Sequence, residues 1–155
     1  MLIHHRGIIH DRFDTPFGLG TLIWAENCHH YCPGCFHQDR FDMPIIEEDS
    51  RVIIRKVLDN PFNRGIVLGG YEWTEQYEEL LSLIEGARSV NLDVILYTHY
   101  TIEDISTKYS ELLQYKGIYI KCGEYDNTKL SADHTSYGVL LASTNQIIYK
   151  IGVDA

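Results

Sequence analysis

The sequence predicts an α/β protein, a partial, open β/α barrel with a mostly parallel sheet. Short apolar runs alternate with amphipathic helical stretches, which implies parallel strands joined by right-handed crossovers. The 155 residues are too few for eight such units, so the barrel would be incomplete. Three of the four cysteines fall within eight residues, just beyond the carboxyl end of the first core strand. In α/β sheets that is the edge where ligands and catalytic groups gather.

Taken in order, residues 2–10 are apolar with polar interruptions and read as an edge strand, and residues 14–20 are dense in turn formers. Residues 21–25 form a short apolar run fit for a buried strand. Residues 47–58 read as a helix, with acids in its first turn, Arg55 and Lys56 near its end and Pro61 beyond its stop. Residues 66–68 are a second buried strand, ending abruptly in Gly69-Gly70. Thr74 then suits the N-cap of a helix carrying Tyr77, Leu80, Leu81 and Ile84 on one face. Residues 94–97 give a third strand. Thr101 with Asp104 fits a capping box for a helix burying Ile102, Ile105, Tyr109, Leu112 and Leu113. Residues 118–120 and 147–149 supply the last two strands. Between them, residues 122–137 are polar and long enough to be a functional loop. No repeat, low-complexity segment or linker divides the chain, so one domain over 1–155 is expected.

Composition narrows the function. A formal charge of −9 argues against nucleic-acid binding, which rests on clustered Lys and Arg. The acids Glu47, Glu48 and Asp49, and Glu75, Glu78 and Glu79, read as solvated helix faces. No apolar run approaches a membrane span, and the stretch after Met1 does not read as a signal segment. The cysteines are not spread as a disulfide framework, so a reducing cytoplasm is expected.

The chemistry lies in Cys28-His29-His30-Tyr31-Cys32-Pro33-Gly34-Cys35-Phe36-His37-Gln38. Thiolates are soft ligands suited to zinc or iron–sulfur clusters. A 4Fe-4S cube normally takes four protein thiolates, so one held by three keeps an iron open to a non-protein ligand. Zinc could instead take the three cysteines with His29, His30 or His37, giving a non-catalytic binding module. Structural zinc sites usually draw their ligands as two separated pairs, and no second pair follows here, so spacing favours the cluster.

With these residues in place, Cys-x3-Cys-x2-Cys resembles the cluster motif of the radical S-adenosylmethionine (SAM) enzymes. More narrowly, the chain resembles the activating proteins of the anaerobic, class III ribonucleotide reductases. The resemblance rests on Cys32-Pro33-Gly34-Cys35-Phe36-His37-Gln38, the pair Gly69-Gly70, the segment from Leu96 to Asp104, and Ser143-Thr144-Asn145-Gln146. It implies a radical SAM type of open barrel in which Cys28, Cys32 and Cys35 hold three irons of a 4Fe-4S cluster and S-adenosyl-L-methionine chelates the fourth. It further implies reductive cleavage of SAM to a 5′-deoxyadenosyl radical, which takes a hydrogen from a glycine Cα of the reductase's large subunit. An electron donor such as flavodoxin or ferredoxin would reduce the cluster. The nearest alternative is a small radical SAM enzyme acting on another glycyl-radical protein or a metabolite.

The same resemblance makes Gly69 and Gly70 the turn that approaches the methionine end of SAM. The family usually has an acid directly after the pair, whereas this chain has Tyr71 and then Glu72. Either Glu72 reaches the SAM amino group through a shifted turn or that contact is lost. Phe36 is a candidate to stack near the adenine, or it is simply packing. His99 stands where the family usually has glycine, as a cofactor contact or a tolerated loop side chain. His29 and His30 would tune the cluster or lie exposed. Cys122 reads as a buried thiol rather than a fourth ligand, which would close the open iron. Asn145 and Gln146 either dock a partner or substrate or cap the C-terminal region.

Overall fold

A computed structural model describes residues 1–30, 33 and 42–155. The strands are β1 (Leu2–Arg12), β2 (Gly20–Ala25), β3 (Ile46–Asp49), β4 (Gly65–Gly69), β5 (Asp93–Tyr97), β6 (Tyr119–Cys122), β7 (Thr135–Ser136), β8 (Val139–Leu140) and β9 (Ile147–Lys150). The helices are α1 (Ser50–Leu58), α2 (Tyr77–Ser89) and α3 (Ile102–Lys108), with 3-10 turns at Trp73–Gln76 and Ser110–Gln114.

Seven strands make one sheet in the order β3-β1-β2-β4-β5-β6-β9. Its centre is parallel, with Leu22 opposite Val67, Ile66 opposite Val94 and Leu96 opposite Ile120. Its flanks are antiparallel, β1 and β3 on one side and β9 on the other. The sheet is therefore mixed, with the expected parallel strands at its heart. From β2 to β6 each strand is added on the same side of the last, so right-handed crossovers put the helices between them on one face.

The apolar runs at the centre of the sheet are buried because they are covered on both faces. Ile23, Ile66, Leu68, Ile95, Leu96 and Ile120 have no exposed surface, and neither do Leu80, Leu83 and Ile84 of α2. The Thr101–Asp104 capping box is present and α3 buries Ile105 below it, but α3 stops at Lys108, so the expected single helix through Leu113 is broken and Leu112 is buried from the 3-10 turn that follows.

Three further local expectations change. First, β1 is not an edge strand, because residues 46–49 pair with it as β3, setting Ile3 opposite Glu48 and His5 opposite Ile46. Glu47 and Glu48 therefore belong to a strand. The helix begins only at Ser50, capped by Asp49, whose carboxylate accepts from the Arg51 amide and is held down to about 2 by the Arg51 side chain and N–H. Second, Thr74 caps nothing; Glu72 caps the 3-10 turn that precedes α2. Third, the polar stretch after β6 has a packing role. Within it, Ser136 Oγ accepts from the Ile148 amide at 3.0 Å and His134 Nε2 meets the Gln146 carbonyl at 2.7 Å. These contacts occupy the outer edge of β9, which would otherwise offer unpaired backbone groups. Among the described residues no helix is long and apolar enough to cross a membrane.

Candidate functional site

The carboxyl ends of the four parallel strands converge on one cavity of about 320 Å³. After β2 it is lined by Cys28 and His30, after β4 by Gly70 to Glu72, after β5 by Thr98 and His99, and after β6 by Gly123 to Tyr125. Cys28, Gly70, Glu72 and His99, far apart in sequence, are thus brought together. Cys32, Cys35 and Phe36 lie outside the described residues.

The segment entering the cysteine loop is held by all three neighbouring strand ends. From the β4 side, the Glu72 amide donates to the Asn27 carbonyl at 3.0 Å, and Glu75 accepts from the His29 amide at 2.7 Å while meeting its ring Nδ1 at 2.5 Å. The Glu26 amide donates to Gln76 Oε1 at 2.8 Å. From the β5 side, the His99 ring stacks on His30 with centroids 4.1 Å apart. From the β6 side, Glu124 meets His30 Nε2 at 2.5 Å. Cys28 is half-buried, its amide donating to Asn27 Oδ1 at 3.0 Å and its Sγ 3.2 Å from the His30 carbonyl. Both histidines therefore serve as anchors for the loop that carries the first thiolate. Glu75, read from sequence as solvated surface, is one of the groups that hold it.

Gly70 has φ +80°, and a Cβ there would sit 2.4 Å from the Trp24 indole. Its lack of a side chain thus answers a packing demand of the protein itself, in addition to any approach by a cofactor. Gly69 is different, since a Cβ there would meet Leu22 and Tyr97 atoms at 3.5 Å or more, an ordinary contact.

Glu72 is buried, 3 % exposed, and its carboxylate is fully engaged. Oε1 accepts from the Thr98 hydroxyl at 3.1 Å and the His99 amide at 2.9 Å, and Oε2 accepts from the Thr74 hydroxyl at 2.9 Å and the Thr74 amide at 3.4 Å. A carboxylate offers about four acceptor positions, so any ammonium meeting Glu72 would share one already in use. His99 is half-buried against this carboxylate; burial lowers its pKa, with the Glu72 charge pulling the other way.

Cys122 ends β6, and burial pushes its thiol up to about 12. Lys121, its neighbour on the strand, lines the cavity. Side chains alternate across a strand, so Cys122 faces the opposite side, toward the helices. It is a core thiol, turned away from the site. Gln146 is a cap for its own loop, Oε1 accepting from the Ala142 and Ser143 amides and Nε2 donating to the Gly123 carbonyl. Asn145 Nδ2 similarly donates to the Glu124 carbonyl at 2.9 Å.

The cavity also includes Arg12, Asp14, Tyr97 and Lys121, which the motifs did not single out. Arg12 and Asp14 form a two-point ion pair, the Tyr97 hydroxyl donates to the Asp14 carbonyl at 2.9 Å, and Lys121 Nζ lies 5.4 Å from the Tyr97 ring centre. A charged residue inside a short apolar strand, as Lys121 is, was the available signal.

A family model described as a 4Fe-4S single cluster domain matches residues 17–149. The chain belongs to that family. The matched span runs from before β2 into β9, so the family covers the cysteine loop and every strand end around the cavity. No curated protein gives a significant match to the chain. Membership weighs the metal question toward iron–sulfur and away from a zinc module, and the donor set fits: three cysteines in one loop, the first at the cavity wall, with the fourth cysteine of the chain facing away.

Proposed function

We propose that this 4Fe-4S domain is a radical SAM activase that installs a glycyl radical on an anaerobic ribonucleoside-triphosphate reductase. The observation that carries the reading is the meeting of Cys28, the turn after Gly69-Gly70 and the loop at His99 in one cavity, with three thiolates available where a cube takes four. Cys28, Cys32 and Cys35 would hold the cluster, and SAM would lie along the Gly70 turn beside His99, with Phe36 near its adenine. Bound together, the cluster and SAM supply a one-electron cleavage that yields a carbon radical able to take a hydrogen atom from a glycine Cα.

The chain's own part is orientation and exclusion of water. Glu75, Glu124 and His99 hold the loop that presents Cys28, and the buried Gly70–Trp24 contact fixes the turn opposite it. Leu140, 60 % exposed, stands at the cavity rim as an apolar contact for a protein substrate. The large subunit of the reductase would be that substrate, with a flavodoxin or ferredoxin as electron donor in a reducing cytoplasm.

The test is anaerobic incubation of reconstituted protein with SAM, a reductant and a class III reductase, read by electron paramagnetic resonance. A glycyl-radical doublet on the reductase is expected. SAM cleavage without that doublet would redirect the activity to another glycyl-radical protein or a metabolite.

A further inference from the structure

We infer that Glu72 is a positioning residue that sets the cysteine loop against the glycine turn and is not itself a contact to a bound cofactor, an inference whose cofactor half rests on the function proposed above. Glu72 stands at the junction of three strand-end loops. Its amide holds the Asn27 carbonyl, one residue before Cys28, at 3.0 Å. Through Oε1 it holds Thr98 and the His99 amide, and the His99 ring in turn stacks on His30, two residues after Cys28. Through Oε2 it holds Thr74 and so closes the 3-10 turn that presents Glu75 to His29. One side chain and its own amide therefore reach both flanks of Cys28 by separate routes.

The burial of Glu72 supports this role over a ligand role. An anionic group at 3 % exposure is tolerated where hydrogen bonds replace its hydration, and four donors of the chain already do so. Gln at this position has one carbonyl acceptor and one NH2 group. Either the Thr98–His99 pair or the Thr74 pair would then face a donor instead of an acceptor, and one of the two routes would open.

Hydrogen exchange on ligand-free protein tests the inference without any cofactor. Glu72→Gln should speed exchange of the amides in 27–30 by roughly ten-fold or more, the worth of about one buried hydrogen bond, together with those of whichever route opens, 98–100 or 74–76, with α1 unchanged. Thr98→Val keeps the side-chain shape, removes the hydroxyl donor to Glu72 and the acceptor for the Tyr100 amide, and should loosen 98–100 in the same direction. It reports even if Glu72→Gln folds poorly. A change confined to 70–76 in Glu72→Gln would overturn the inference.

A second arm separates positioning from contact. Affinities for S-adenosylhomocysteine and for its desamino analogue are compared in the unaltered protein and in Glu72→Gln. Positioning predicts the same fold-loss for both ligands. A loss confined to the ligand that carries the amino group would make Glu72 a contact residue and sink the inference. If neither ligand binds the unaltered protein, the proposed function fails, and the exchange result still decides the role of Glu72.

Discussion

Alanine at Cys28, Cys32 or Cys35 is expected to leave reconstituted protein without a stable cluster, iron falling from about four atoms per chain to a small residue. The reason is the count of thiolates. The fourth cysteine, Cys122, lies on β6 with its side chain on the far face of the sheet from the cavity, and burial raises its thiol to about 12, so it cannot step in for a lost ligand. His29 and His30 are the other metal-ligating side chains among the described residues beside Cys28, and a 4Fe-4S cube takes thiolates rather than imidazoles. The matching control is Cys122→Ala, which should bind the same iron and sulfide as the unaltered protein. Iron and sulfide analysis beside the visible absorption of the cluster reads both results. Full cluster content in any one of the three loop variants would remove that cysteine from the ligand set, and loss of iron in Cys122→Ala would bring that residue into it.

Gly70→Ala should cost more stability than any other conservative change at the site. A β-carbon at φ +80° is strained by roughly 1–2 kcal/mol, and forcing it against a buried side chain adds about 1–3 kcal/mol. The Trp24 ring cannot retreat easily, since it is 8 % exposed and packed edge-on against Tyr71 with ring centres 5.6 Å apart. At roughly 2–4 °C per kcal/mol for a domain of this size, a fall in Tm of about 4–20 °C is expected. Gly69→Ala, whose new carbon would find only ordinary contacts, should shift Tm by a few degrees at most. Thermal melts followed by circular dichroism compare the two. Equal shifts would show that the Gly70–Trp24 contact does not set the turn.

Much of the architecture was legible because the central strands are continuous apolar runs. Ile66 to Leu68, Val94 to Leu96 and Ile118 to Ile120 needed no partner to be read, and a parallel centre follows from the helices between them. The capping box at Thr101 and Asp104 is a local signal and survives as such. What misled was local chemistry overridden from a distance. Glu47 and Glu48 precede a helix and carry the charge of its first turn, but pairing with β1 and the 2.8 Å contact of Glu48 with buried His5 make them a strand. Thr74 has the composition of an N-cap, yet Glu72 is two residues earlier and takes that role.

At the site, the cysteine spacing was visible because it is contiguous, whereas the anchors of the loop were not. Nothing within the segment 72–79 marks Glu75 as a partner for His29; only the adjacency of β2 and β4 does. The same holds for Glu124 and His30, separated by 94 positions and joined by the sheet. The glycine pair reads in sequence as a place for a ligand, and its second member has a tryptophan against it as well.

An open iron that takes SAM is tested by electron paramagnetic resonance of the anaerobically reconstituted, reduced protein with and without SAM. A reduced 4Fe-4S signal whose shape changes when SAM is added is expected. A cluster signal indifferent to SAM, or a colourless protein that takes up zinc in place of iron, would contradict it.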